Sequence, residues 1–183
     1  MNQYCPIALV LLMLFHLAFV DAEILQKKNV ELDAFRYLNR AHNFTLNLPK
    51  SWRLTEGKDG TAVMAIRPAE TLKEIFLENI SVVVQRTRPG IGISELFKES
   101  IPQLKKSVFG FYLIEKGITK LGRGEGGWML YGFENNQRSI KLLQNFIIIN
   151  GHTYTVTGAA TATNFSKYRP VFQAIADSLV VNE

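Results

Sequence analysis

Cysteine is nearly missing from this sequence: among 183 residues there is one, Cys5. An intramolecular disulfide framework and a cysteine-based zinc ribbon are both excluded. Histidine is scarce as well, with only His16, His42 and His152, too little for a His-rich metal centre. The acidic residues are scattered and mostly Glu, and no stretch sets Asp or Asn around a central Gly as a calcium loop does. There is no Gly-x-Ser-x-Gly elbow. The densest glycine run, Gly122 to Gly127, leads into Trp128 without a Lys-Ser/Thr pair. A phosphate loop runs from a strand into a helix, so this run reads as a strand–strand connection. No metal and no cofactor is expected.

Long apolar runs are limited to one. Ile7 to Val20 is apolar except for His16, shorter than the roughly 20 residues that span a bilayer. Its length fits the core of a secretory signal, with cleavage expected after Ala22. The residues before it carry no Lys or Arg, which leaves an uncleaved, weakly anchored segment as the alternative. Cys5 precedes the apolar run, so it is not the lipid-bearing Cys of a lipoprotein and is lost with the leader. The expected product is exported, periplasmic or secreted, without any thiol.

What the chain does have is apolar and basic residues. It is 47% hydrophobic with a formal net charge of +5, which excludes wholesale disorder. For an exported protein, surplus positive charge points to acidic protein surfaces or anionic headgroups rather than to nucleic acid.

The organisation follows from periodicity. Residues 23–42 read as an N-terminal arm, with a short helix over Glu31 to Ala41 suggested by the three-residue spacing of Leu32, Phe35 and Leu38. A single domain is expected over 43–183. Asn43 to Leu48 alternates polar and apolar, the period of a half-buried strand, and Pro49 ends it. Thr61–Arg67 and Asn79–Thr87 read as further strands. Ile93 to Phe109 has helical spacing, with Ser94 as a cap and Pro102 predicting a kink or break. Trp128–Glu134, Ser139–Ile149 and His152–Ala160 read as three strands. Asn150-Gly151 tolerates the positive φ values of a type I′ turn, which pairs Ile149 with His152, Ile147 with Tyr154 and Phe146 with Thr155. A closing helix carries Phe165, Tyr168, Phe172, Ile175 and Leu179, capped by Asn164 or Ser166. Strands in runs with helices between them imply an α+β domain with a mostly antiparallel sheet, three-layered where helices cover both faces.

Candidate functional residues fall into three sets. Arg86, Arg88, Lys98, Lys105 and Lys106 form a candidate partner surface, because the Pro89-Gly90 turn folds the helix back beside its strand. His42 and His152 are the histidines left for a hydrolase, but no companion nucleophile motif accompanies them, so rim positions are the expected reading. Trp52, Phe76, Trp128, Tyr131, Phe133 and Tyr154 would line a pocket in a small-molecule or lipid binder; core packing is the expected use.

Several segments carry a family resemblance. NFTLNLPKSW (Asn43 to Trp52) resembles the strand–Pro–x–x–Trp opening of PsbP-like domains, the DcrB type included. WMLYGFE, KLLQNFIIINGHTYTVTGAA and FSKYRPVFQAIADSLVV resemble that family's closing hairpin and final helix. Asn150-Gly151-His152-Thr153-Tyr154 matches its turn and strand tyrosine, while Ser178-Leu179 stands where Ser-Phe is usual. The resemblance covers about Asn43 to Val181. It implies a three-layer α/β/α sandwich around an antiparallel sheet, and an accessory or protein-binding role rather than an enzyme, with peripheral membrane contact as an option. Calcium or manganese association is attributed to some members, but no pattern here matches one.

Overall fold

Asn150 and Gly151 take φ values of 51° and 69°, and the two-residue turn they form is the hinge on which the main sheet is registered. It joins strands Arg138–Ile149 and His152–Thr161. The pairings Ile149 with His152, Ile147 with Tyr154 and Phe146 with Thr155 all occur. The structure, a computed structural model, describes residues 33–182 apart from positions 59, 73, 75, 122, 123, 136 and 137. The expected leader and its cleavage point lie outside the described residues.

In chain order the elements are β1 (Ala34–Asn39), β2 (Phe44–Pro49), β3 (Arg53–Glu56), β4 (Val63–Ile66), β5 (Asn79–Arg86), α1 (Ile93–Ser107), β6 (Tyr112–Leu121), β7 (Gly124–Asn135), β8 (Arg138–Ile149), β9 (His152–Thr161), α2 (Phe165–Asp177) and β10 (Val180–Val181). A seven-stranded sheet has the order β3-β4-β5-β9-β8-β7-β6, and a small sheet has the order β1-β2-β10. Every described pairing is antiparallel. This is the expected α+β sandwich.

Alternation along the strands divides the interior in two. Ile93, Leu96, Phe97 and Leu104 of α1 meet Met129, Tyr131, Phe133, Leu142 and Phe146 on one face. Phe165, Tyr168, Phe172 and Ile175 of α2, with Phe44, Leu46 and Leu48 of the small sheet, meet Ile80, Val82, Leu143 and Val156 on the other. Each such buried side chain contributes about 1.5–3 kcal/mol. Pro102 lies inside α1 without ending it, and Gly92 rather than Ser94 is the N-cap. At α2 the cap is Asn164, but its side chain makes no capping bond to the helix; its Nδ2 donates instead to Glu78 Oε1 at 2.8 Å.

Four local expectations are corrected. Residues 34–39 are a strand, not a helix: Tyr37 and Asn39 are buried at alternate positions, and β1 pairs with β2 along its length. The hairpin of β1 and β2 therefore crosses the boundary expected at Asn43. β3 and β10 were not expected, because four and two residues are too few to show a period. β7 begins at Gly124 rather than Trp128. β6 was not expected, because its register shift and exposed apolar residues leave no single period.

The irregular connection after β4 is held by one buried ionic cluster. Arg67 Nε donates to Glu78 Oε2 at 2.7 Å, Nη2 to Glu74 Oε2 at 2.9 Å and Nη1 to the Pro68 carbonyl at 2.9 Å. Its Cζ lies 5.9 Å from the centroid of the Tyr168 ring. Burial alone would raise the Glu74 carboxyl, but the Glu70 amide and the Arg67 guanidinium outweigh it and hold the group below its ordinary value of 4.5. The unfolded chain then binds that proton more tightly. The resulting stability is complete above about pH 4.5 and is lost as pH falls below it. Urea melts of the wild type should weaken with acidification in this window more steeply than those of Glu74→Gln; parallel curves would count against the assignment.

Candidate functional site

All five expected surface cations are exposed, but they differ in what surrounds them. Arg88 is ion-paired with Glu99 of α1, and Lys98 with Glu95 at 3.1 Å. Arg86 ends β5, opposite His152. Lys105 and Lys106 sit in the last turn of α1, where cations oppose the negative helix end. Lys98 and Lys105 are seven residues apart, so they share one stripe of the helix about 10 Å apart along its axis. The structure thus spreads these residues along α1 and the end of β5.

The two histidines serve turns. The His42 amide donates to Asn39 Oδ1 at 2.9 Å, and its carbonyl accepts from the Tyr154 hydroxyl at 3.1 Å. His152 Nδ1 lies 3.0 Å from the carbonyl oxygen of Asn150, within its own hairpin. Among the described residues, no group of three or more His, Cys, Asp or Glu is placed to hold a metal ion.

The six aromatics do not line one pocket. Phe76, Tyr131 and Phe133 belong to the α1 side, whereas Trp52, Trp128 and Tyr154 belong to the α2 side. Trp52 packs on Tyr168 with centroids 6.5 Å apart, and Tyr154 meets Phe44 edge-on at 6.1 Å. Burial pushes the Tyr131 phenol well above its ordinary value.

The feature that stands apart is β6. It is the terminal strand of the large sheet, hydrogen-bonded to β7 on one side. Five of the eight exposed large hydrophobics among the described residues fall between positions 109 and 118: Phe109 (85% exposed), Tyr112 (37%), Leu113 (36%), Ile114 (45%) and Ile118 (52%). Proteins usually blunt a sheet edge with short strands, charges or bulges. The opposite edge, β3, does so with four residues. β6 runs for ten residues, with a register shift between Leu113 and Glu115 and with exposed Glu115 and Lys116 between its apolar positions. That shift breaks the two-residue period, and exposure leaves apolar residues on both faces. Both effects hide the strand from periodicity.

Glycine–aromatic pairs build the platform beside this edge. The Trp128 indole lies over Gly117, where a Cβ would fall 2.7 Å from Nε1. The Tyr112 ring lies over Gly132 in the same way, at 2.4 Å from ring Cζ. On the α1 side, Leu113, Lys116 and Ile118 stand opposite Tyr131, Met129 and Gly127, and Lys116 Nζ sits 5.1 Å from the centroid of Phe97. Among the described residues β6 pairs with β7 on one side only and carries apolar side chains on both faces, a geometry that suits binding an extended chain.

An antiparallel sheet with α1 on one face and α2 and a small sheet on the other defines an α+β sandwich, with exposed apolar residues on the terminal strand of its large sheet. The particular fold is PsbP-like. No family model matches the sequence, and no curated protein matches it. Among solved structures, the cyanobacterial PsbP (CyanoP) of Synechocystis sp. PCC 6803 superimposes with a TM-score of 0.62 at 16% identity, covering 86% of this chain and 98% of that one. LpqN of Mycobacterium tuberculosis, described as involved in cell envelope biogenesis, gives 0.63 at 12% identity, covering 82% and 91%. The Ran-binding protein Mog1p of Saccharomyces cerevisiae gives 0.60 at 10% identity, covering 82% and 96%. At these identities the likeness is one of fold. No described helix is long and apolar enough to cross a membrane.

Proposed function

We propose that this chain is an exported, non-enzymatic binding domain of the PsbP-like type that engages a protein partner in the envelope or at a membrane surface. The observation that carries this reading is the clustering of exposed apolar side chains at positions 109–118, along the terminal strand and the turn before it, since clustered exposed apolar surface marks an interaction site. Arg86, Arg88, Lys98, Lys105 and Lys106 supply a positive field that draws an acidic partner toward the domain, with Arg88 and Lys98 the weaker contributors because each has a carboxylate beside it. Its fold neighbours include a protein of envelope biogenesis and a Ran-binding protein, which supports a binding role. The apolar run Ile7 to Val20 supports export, with cleavage near Ala22.

The test is site-specific photocrosslinking in the native host. A photoreactive residue at Ile118 should capture one recurrent protein, and the same residue at Arg53 on the opposite edge should not. Mass analysis of the crosslinked chain should place its N-terminus at Glu23. No adduct at Ile118 under any growth condition, or equal adducts at both positions, would overturn the binding reading.

A further inference from the structure

We propose that β6 accepts an extended acidic segment of the partner as an added strand, with an acidic side chain opposite Lys116 and apolar side chains opposite Leu113 and Ile118. The inference rests on the reading of this chain as a protein-binding domain and specifies the chemistry of what it binds.

Three observations lead there. The first is backbone availability: among the described residues β6 has a strand neighbour, β7, on one side only, so its outward N–H and C=O groups can pair with another strand. The second is the pattern on the α1 side. Leu113, Lys116 and Ile118 face the same way as Tyr131, Met129 and Gly127 of β7, which follow one another at a spacing of two. A strand added outside β6 meets the same repeat, so its matching face reads apolar–x–acidic–x–apolar. Directly opposed opposite charges and apolar pairs stabilise a sheet, and like charges opposed destabilise it. Lys116 is exposed on the α1 face, the face on which such a pairing would be made.

The third observation separates this occupant from a second copy. Two β6 edges pairing about a two-fold axis centred on Lys116 set ammonium against ammonium. Two chains of net charge +5 also repel as wholes, whereas an acidic segment is drawn in by the same field. The far side of the ribbon is prepared as well, because Trp128 of β7 reaches over Gly117 of β6 and lays aromatic surface beside the incoming strand.

The test uses the full chain and short synthetic peptides. A peptide with Val-Thr-Asp-Thr-Val at its centre should bind and shift backbone amide resonances of Tyr112 to Leu121. Replacing its Asp by Lys should weaken binding about tenfold, the size of exchanging one cross-strand attraction for a repulsion. Lys116→Glu, an exposed position that leaves the fold intact, should reverse the preference between the two peptides. N-methylation at alternate peptide amides should abolish binding, because it removes the donors an added strand needs.

Undiminished binding of the methylated peptide, or no reversal with Lys116→Glu, would overturn strand addition. So would a concentration-dependent dimer dispersed by Ile118→Lys, which would make the occupant a second copy. Binding to phosphatidylglycerol vesicles without peptide binding would assign the surface to lipid and equally overturn it. If crosslinking at Ile118 captures a protein while acidic peptides fail to bind, this inference fails and the broader binding role stands. If crosslinking also fails, both fall.

Discussion

Glu78→Ala should lower the stability of this domain by about 3–5 kcal/mol, the cost of leaving a buried charge without its partner. Glu78 is fully buried, and one of its carboxylate oxygens takes the Arg67 Nε bond while the other takes Asn164 Nδ2. Truncation strands the guanidinium and releases the start of α2 in one step. Glu74 still holds Arg67 Nη2 at 2.9 Å, so the loss should fall toward the lower end of that range. For a domain of this size the melting temperature should drop by about 10 °C. Arg67→Met combined with Glu78→Leu should be far less damaging than Glu78→Ala alone, because removing both charges removes the desolvation penalty with them. Urea denaturation of the three variants is the measurement. A single-variant loss below about 1 kcal/mol would show that the cluster behaves as a surface pair.

Phe172→Ala should be similarly severe, about 3–5 kcal/mol for a buried phenyl ring and the cavity it leaves. Phe172 is 1% exposed and is the centre of the α2 layer. Its ring lies flat on Gly158, where a Cβ would fall 2.2 Å from Cγ and 2.6 Å from both Cδ atoms. Glycine is required at that position by the closeness of the helix, not by a positive φ. Gly158→Ala should therefore push α2 off the sheet and cost about 1–3 kcal/mol through overpacking. Because the two side chains occupy the same space, the effects should not add. The double variant Gly158→Ala with Phe172→Ala should be more stable than the sum predicts by at least about 0.5 kcal/mol. Strict additivity in thermal and urea melts would show that the ring moves aside without cost.

The expectations that held concern segments buried on one or both faces. Asn150-Gly151 admits few backbone solutions, so the hairpin register was legible down to individual pairs. Helix spacing from Ile93 and from Phe165 was legible because each helix buries a single stripe. The failures share a different cause. Phe35 and Leu38 are three residues apart as on a helix, but pairing with β2 makes residues 34–39 a strand, and tertiary pairing outweighs a weak local preference. In β6, exposed apolar residues and the shift at Ile114 remove any single period. The candidate site lay in the segment that periodicity could not read, because a strand with exposed apolar residues on both faces breaks the inside–outside rule that makes strands visible. The one available signal was the run Tyr112-Leu113-Ile114 with Ile118, apolar beyond what an exposed loop requires.

Residue types and their spacing thus determined the α+β class, the central hairpin and both helices, since these depend on local backbone preference and on one-sided burial. Tertiary structure alone decided which strand ends the sheet, that Arg88 stands beside Glu99, and that Arg67, Glu78 and Asn164 meet. Those outcomes depend on contacts between segments far apart in the chain, whose energies exist only once the chain has closed on itself.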